Sequence, residues 1–350
     1  MKKKIIKAIE FTDFLLLGVF LLYLAFRDVD VKDVMVKIRE ANYRWIALSV
    51  VFATLTLVFR TFRWRLLMEP LDAHPSKINI FSAINVGYLA NFLFPRIGEV
   101  TRCGVLNRTD GLPVDSVFGT VVVERIFDLL MAILMLCILL LLRFGDVVTY
   151  IENHGDFKIE DLEEVEHAVA GFETGWILLS AITVLTLVLI VLYITSRKRS
   201  TATININIKD MFINIVRKLK EALNRIGTGI KSVKRLRSFK MFMAYNFLIY
   251  GMYLLQTYVL FFALDSTGEC GIIDALFVLV LSAVALTLPV QGGLGTYHTI
   301  VPSGFILFGL TFKDGLVYAT IAHSSTAILY IFLGAVSMVF VYIRKKPKTQ

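Results

Sequence analysis

Apolar residues in this chain fall in long runs, and charged or turn-forming residues are confined between them. Runs over 11–26, 43–60, 117–142, 175–195, 241–264 and 315–343 are each close to the roughly 20 residues that a helix needs to cross hydrocarbon. Two further apolar stretches are broken in the middle. One, 78–108, is interrupted at Pro95, and the other, 274–311, by Pro289-Val290-Gln291-Gly292-Gly293-Leu294-Gly295. Proline inside a helix removes a backbone donor and clashes with the preceding turn, so each stretch reads as two short helices or a re-entrant hairpin. The pattern predicts an all-α integral membrane protein of about 6–8 transmembrane helices with broken or re-entrant segments.

Charge in the connecting segments sets an orientation. The stretch 144–175 carries nine acidic residues against the single Lys158, whereas 196–240 carries thirteen Lys/Arg against Asp210 and Glu221. Basic loops stay in the cytoplasm. This places 144–175 outside and 196–240 inside, with Lys2–Lys4 and Arg344-Lys345-Lys346 also inside. Span 43–60 then returns the chain to the cytoplasm at Arg60, Arg63 and Arg65, and 78–108 must enter and leave on one side. Span, break at Pro95 and span in the first half, 1–195, recur as span, break at Pro289 and span in the second half, 241–350, with opposite orientation. That order is the signature of an inverted-topology repeat within a single polytopic domain, 1–350. Between the halves, 204–236 alternates apolar and basic positions at helical spacing, as in a helix lying on an anionic leaflet or a cytoplasmic connector packing on the bundle. A cysteine at position 156 should therefore react with an impermeant maleimide from outside, and one at 231 only after permeabilisation. External labelling at 231 would reverse the orientation.

Composition agrees. Hydrophobic residues make up 57% and charged residues 19%, with a mean hydropathy of +0.71, which excludes an ordinary soluble fold. The formal net charge of +9 flanks apolar runs, so anionic phospholipid headgroups, and no nucleic acid, are the expected partners. A homo-oligomer is compatible with the pattern. Cys103, Cys137 and Cys270 form no CxxC pair. The N-terminal basic-then-apolar order lacks a small-x-small cleavage site and reads as a retained first helix.

Broken helices at membrane depth are tolerated where the freed backbone lines protein or a polar cavity. In the sequence Asn91 to Arg102, Arg96, Glu99 and Arg102 stand three apart, so on a helix they would share one face and neutralise one another. Glu124, Arg125 and Asp128 open span 117–142, with Arg125 and Asp128 at i, i+3. Charges at the bilayer centre must be paired or face water. With Gln291 and His298 from the second break, these residues are the candidate substrate-binding set: Asn91, Arg96, Glu99, Arg102, Glu124, Arg125, Asp128, Gln291 and His298. A structural ion-pair network or snorkelling side chains would account for the charged ones equally simply. His298 and His323 lie within apolar segments, where histidines are often functional; a helix-packing role is the plainer alternative.

The run Asn91 to Arg102, followed by Gly111-Leu112-Pro113 and Glu124-Arg125-Ile126-Phe127-Asp128-Leu129, resembles the lysylphosphatidylglycerol synthase transmembrane family, typified by the flippase domain of the multiple peptide resistance factor. The family pattern is N-x-L-x-P-x-R-x-G-E-x-x-R and later E-R-x-x-D, and Arg63-Trp64 and Pro289 to Gly295 resemble it as well. Two departures bear on substrate or ion coupling: Arg96 follows the proline directly, and His298 stands where the family has a glutamate. The resemblance implies movement of a phospholipid or lipid-linked group between leaflets of the plasma membrane, with no catalytic residues, cofactor or metal.

The alternative is an integral-membrane aminoacyl- or glycosyltransferase, since some family members carry such soluble domains. Stretches 144–175 and 196–240 are too short to hold one. Asp28-Val29-Asp30 could bind metal or lipid phosphate in a transferase, although D-x-D is common in loops. Gly227 to Ser232 lacks the strand and the glycine before lysine of a phosphate-binding loop, so no ATP motor is expected. His154 and His167 read as solvated loop residues, and the sequon at Asn107 falls on the inner side.

Overall fold

The computed structural model describes residues 16–27, 29–71, 74–94, 96–142, 238–288 and 290–343. Among these, ten helices and no strand occur. The chain divides into two compact units, 1–131 with 231–350, and 132–230. The expectations for 144–175, 175–195 and 196–240, and those resting on Asp28, His154, His167 and Gly227–Ser232, lie outside the described residues.

Helix α1 is Leu16–Phe26, α2 Val31–Glu40, α3 Tyr43–Met68, α4 Lys77–Leu93, α5 Gly98–Asp110 and α6 Val114–Leu142, which runs on into the second unit. After it come α7 Phe239–Phe261, α8 Ile272–Thr287, α9 Thr296–Phe305 and α10 Phe312–Ile343. Three stretches, Tyr43–Leu71, Val114–Leu142 and Phe312–Ile343, are long and apolar enough to cross a membrane, and α1 and α8 are shorter apolar helices.

Local chemistry sets the ends. The side chains of Asp30, Asn42 and Ser76 accept from backbone N–H groups at the starts of α2, α3 and α4, filling orphan donors that an α-helix leaves open. Helix α5 stops at Gly111, whose φ of 72° is the left-handed conformation that glycine adopts without penalty.

Both broken stretches are pairs of short helices, 17 and 13 residues in the first half and 16 and 10 in the second. Each pair is preceded and followed by a longer helix, so the four-element order α3–α6 recurs in α7–α10. Helix α3 packs along α7, and α4 along α10. The two breaks meet: Arg96 donates to the carbonyl of Thr287 at 3.3 Å, and a Cβ placed on Gly292 would lie 2.5 Å from the Phe92 ring. Helices α4 and α5 touch backbone to backbone, since a Cβ on Gly98 would sit 2.2 Å from the Gly87 carbonyl oxygen.

Two apolar cores flank this junction. Leu57, Trp64, Ile80, Leu106, Val121 and Phe242 join α3 to α7; Phe261, Ala275, Val301, Phe305 and Tyr318 join α7 to α10. Helix α2 is tied to the start of α10 by Lys37–Asp314 at 2.7 Å and by Asp33–Lys313, and hydrogen bonding to Lys313 holds the Asp33 carboxyl below its ordinary range.

One expectation fails in a way that matters. Helix α3 does not end at residue 60 but continues to Met68, burying Arg60 and Arg63 while Arg65 stays exposed. These two arginines are therefore interior groups rather than loop charges, because carboxylates on α6 are placed to meet them.

Candidate functional site

On α3, Arg63 and Trp64 stand three and four residues after Arg60, so each neighbours it on the helix surface. On α6, Glu124 and Asp128 are one turn apart. The two faces oppose each other. Arg63 Nη2 reaches Glu124 Oε1 at 2.7 Å and Arg63 Nη1 reaches Asp128 Oδ1 at 2.7 Å. Arg60 Nη1 lies 3.1 Å from Glu124 Oε1 and 3.4 Å from Asp128 Oδ2. The side chains of Arg63 and Glu124 are 0% and 1% exposed, so neither charge could persist without the other.

Helix α5 adds two more charges. Arg102 Nη1 stands 2.8 Å from Glu124 Oε2, with its guanidinium 4.5 Å over the Trp64 ring. Glu99 pairs with Arg125, which also lies 3.7 Å from Asp128 Oδ2. Helix α7 supplies neutral partners: Asn246 Oδ1 accepts from Arg63 at 2.7 Å, Tyr253 Oη from Arg60 at 3.2 Å, and Tyr250 donates to the Asp128 carbonyl at 2.7 Å. Four arginines face three carboxylates, which leaves one net positive charge. Nε and Nη2 of Arg102 and Nε of Arg63, and on the acceptor side Oε2 of Glu99 and of Glu124, are buried with no hydrogen-bond partner among the described residues. A buried guanidinium with free donors in a net-positive cluster is suited to an oxyanion. At the rim, the Arg125 side chain is 50% exposed.

The breaks hold the other predicted residues. Asn91 Oδ1 accepts from Gly98 N at 2.7 Å, so its side chain caps α5. Arg96 precedes that helix with φ +63°, a strained value for a side chain with a Cβ and one that clusters at functional sites. Gln291 is buried in the second break. His298 packs edge-on against His323 at 5.0 Å, with Phe26 and Tyr297 also at its ring.

Five of the nine predicted residues, Glu99, Arg102, Glu124, Arg125 and Asp128, are thus brought into one network. Arg96 is not on a shared helical face with Glu99 and Arg102, because α5 begins only at Gly98. Its charge goes to the C-terminal carbonyls of α8, and neutralisation of Glu99 and Arg102 occurs across helices, from α6. Sequence reasoning missed Arg60 and Arg63 as members, although Arg60 and Trp64 stand four apart, as Glu124 and Asp128 do. Asn246 carries no signal of its own. Among the described residues, no three His, Cys, Asp or Glu side chains gather to hold a metal ion.

Residues 13–334 match the family described as "Lysylphosphatidylglycerol synthase TM region". The chain is 23% identical over 348 residues to a UPF0104 membrane protein of Methanocaldococcus jannaschii, covering 97% of each chain. It is 22% identical over 303 residues to another from Pyrococcus horikoshii, covering 85% of this chain and 87% of that one. A glycosyltransferase, AglD, of Haloferax volcanii is 29% identical over 117 residues, 33% of this chain and 19% of that protein. No solved structure matches.

Proposed function

As the chain belongs to the lysylphosphatidylglycerol synthase transmembrane family, a family of multi-pass membrane proteins, we propose that it is a lipid flippase-like transporter that moves a phospholipid or lipid-linked group between leaflets. The observation that carries this reading is the buried, net-positive arginine cluster with unsatisfied donors on Arg102. Such donors bind a phosphate diester or monoester without any chemistry on it, and arginine's planar fork matches phosphate oxygens two at a time. Glu99 and Asp128 hold Arg125 at the rim in the absence of lipid, and an arriving phosphate would take their place. Arg96 and the facing breaks would form the polar part of the path. In this reading the protein lies in the plasma membrane with both termini cytoplasmic, the orientation that the loop charges favour. Reconstitution with fluorescent lipids tests the reading: leaflet exchange that depends on the protein supports it.

A second reading draws on the partial match to a protein named as a glycosyltransferase, in which Asp28 and Asp30 would serve transfer to a lipid-linked acceptor. Here the Asp30 carboxylate accepts from Lys32 N at 2.8 Å and caps α2. Asparagine caps equally well, so Asp30→Asn keeps the cap, and the pair Asp28→Asn and Asp30→Asn removes the acidic groups. A transporter should keep lipid exchange within about twofold. Complete loss at normal expression would favour the transferase.

A further inference from the structure

Outside the arginine cluster, two histidines, His298 buried and His323 half-buried, have no ion-pair partner among the described residues. His298 opens α9 and His323 lies within α10, and their rings meet at right angles, 83°, with centroids 5.0 Å apart. His323 Nε2 is 2.8 Å from the carbonyl oxygen of Gly292. A carbonyl only accepts, so Nε2 carries the hydrogen and Nδ1 is the bare nitrogen of a neutral ring. His298 is 4% exposed and its Nδ1 has no hydrogen-bond partner among the described residues.

Among the described residues the surroundings offer no countercharge. Phe26 of α1 faces His298. Tyr297 of α9 stacks on His323 at 5.3 Å and accepts from Ser282 of α8. Leu286 of α8 packs on Gly293, and Phe92 of α4 on Gly292. Tyr297 is thus the one further titratable group at the rings, and neither imidazole has a carboxylate ion-pair partner among the described residues.

We infer that His298 and His323 form a proton-binding site that couples proton uptake to opening of the second break. The inference rests on the lipid-transport reading for its purpose, and it names the proton as the coupling ion. A proton from the aqueous phase adds to a bare imidazole nitrogen and converts a neutral ring to an imidazolium. A cation in an apolar pocket without a carboxylate must gain carbonyl oxygens or water. The carbonyl already at the pair, that of Gly292, belongs to the break itself. Gly292, Gly293 and Gly295 all have positive φ, and the turn they form is pinned by His323 from one side. From the other, α1 pins it so closely that a Cβ on Gly295 would sit 2.2 Å from the Gly18 carbonyl oxygen. A charged His323 keeps its bond to the Gly292 carbonyl, but a charged His298 finds no acceptor at Nδ1 while the turn is packed, so protonation of His298 favours the open turn and deprotonation the packed one.

The test uses full-length protein in vesicles with Cys103, Cys137 and Cys270 replaced by serine and one cysteine at the buried position Val290. Lowering the pH from about 8 to about 5, the range over which histidine changes charge, should raise thiol-corrected labelling at 290 about tenfold or more. His298→Gln with His323→Gln should erase the rise. Amide hydrogen exchange over 288–299 in the unsubstituted protein, corrected for intrinsic rates, should show the same acid dependence without any introduced cysteine. A pH-independent break, or an acid response that survives both substitutions, overturns the inference. Lipid exchange in the same vesicles separates the two claims. Exchange with a pH-indifferent break sinks the proton site alone, and a pH-responsive break in a protein that exchanges no lipid sinks the transport reading alone.

Discussion

Glu124→Ala should leave little folded protein. The Glu124 carboxylate is shared by Arg60, Arg63 and Arg102, and its removal leaves Arg60 and Arg63 to Asp128 alone and takes from Arg102 its carboxylate. Breaking a buried pair by deleting one partner costs about 3–5 kcal/mol, out of a total stability of about 5–15 kcal/mol for an ordinary domain. The effect should appear as lost monodispersity in mild detergent and a lower unfolding temperature. Because the penalty is the uncompensated charge rather than a lost attraction, combining Glu124→Gln with Arg63→Met should be less harmful than Glu124→Ala alone. A double variant as unstable as the sum of its parts would show that these residues do not act as a unit.

Arg125→Lys should have the opposite profile, with stability kept and transport lost. Arg125 sits at the rim, held by Glu99 and Asp128, and lysine can replace either contact as a point charge. It cannot present two parallel donors to a phosphate. Losing one charge-assisted hydrogen bond to the bound lipid is worth about 1.5–3 kcal/mol, or a roughly 10- to 100-fold fall in exchange rate, at unchanged expression and thermal stability. If Arg125→Lys, Arg96→Lys and His298→Ala all transport like the parent protein, these charges are structural.

The breaks were legible in the sequence because Pro95, Pro289 and the Gly292–Gly295 cluster are backbone signals, and their facing arrangement follows from the repeated order of elements. The charges on α6 were legible because they interrupt an apolar run. Arg60 and Arg63 were misplaced for the same reason in reverse: a basic group at the end of an apolar run looks like the edge of the membrane. Only pairing with residues more than sixty positions away moves them inside. The route taken by Arg96 was hidden too, since its spacing to Glu99 is helical while Gly98 and the Asn91 cap start the helix after it. His323 drew notice as a histidine in an apolar helix, but nothing in the chain announces that it bonds the Gly292 carbonyl.

The most direct measurement is dithionite quenching of a fluorescent phospholipid in vesicles containing the purified protein. Protein-free vesicles should lose only the outer-leaflet half of the signal, and vesicles with protein should lose more, at a rate that falls with Arg125→Lys and is preserved by Asp28→Asn with Asp30→Asn. Quenching that stops at the outer leaflet with well-folded, correctly inserted protein, across zwitterionic and anionic lipids and with or without an imposed pH gradient, would contradict the assignment of this arginine cluster to lipid movement.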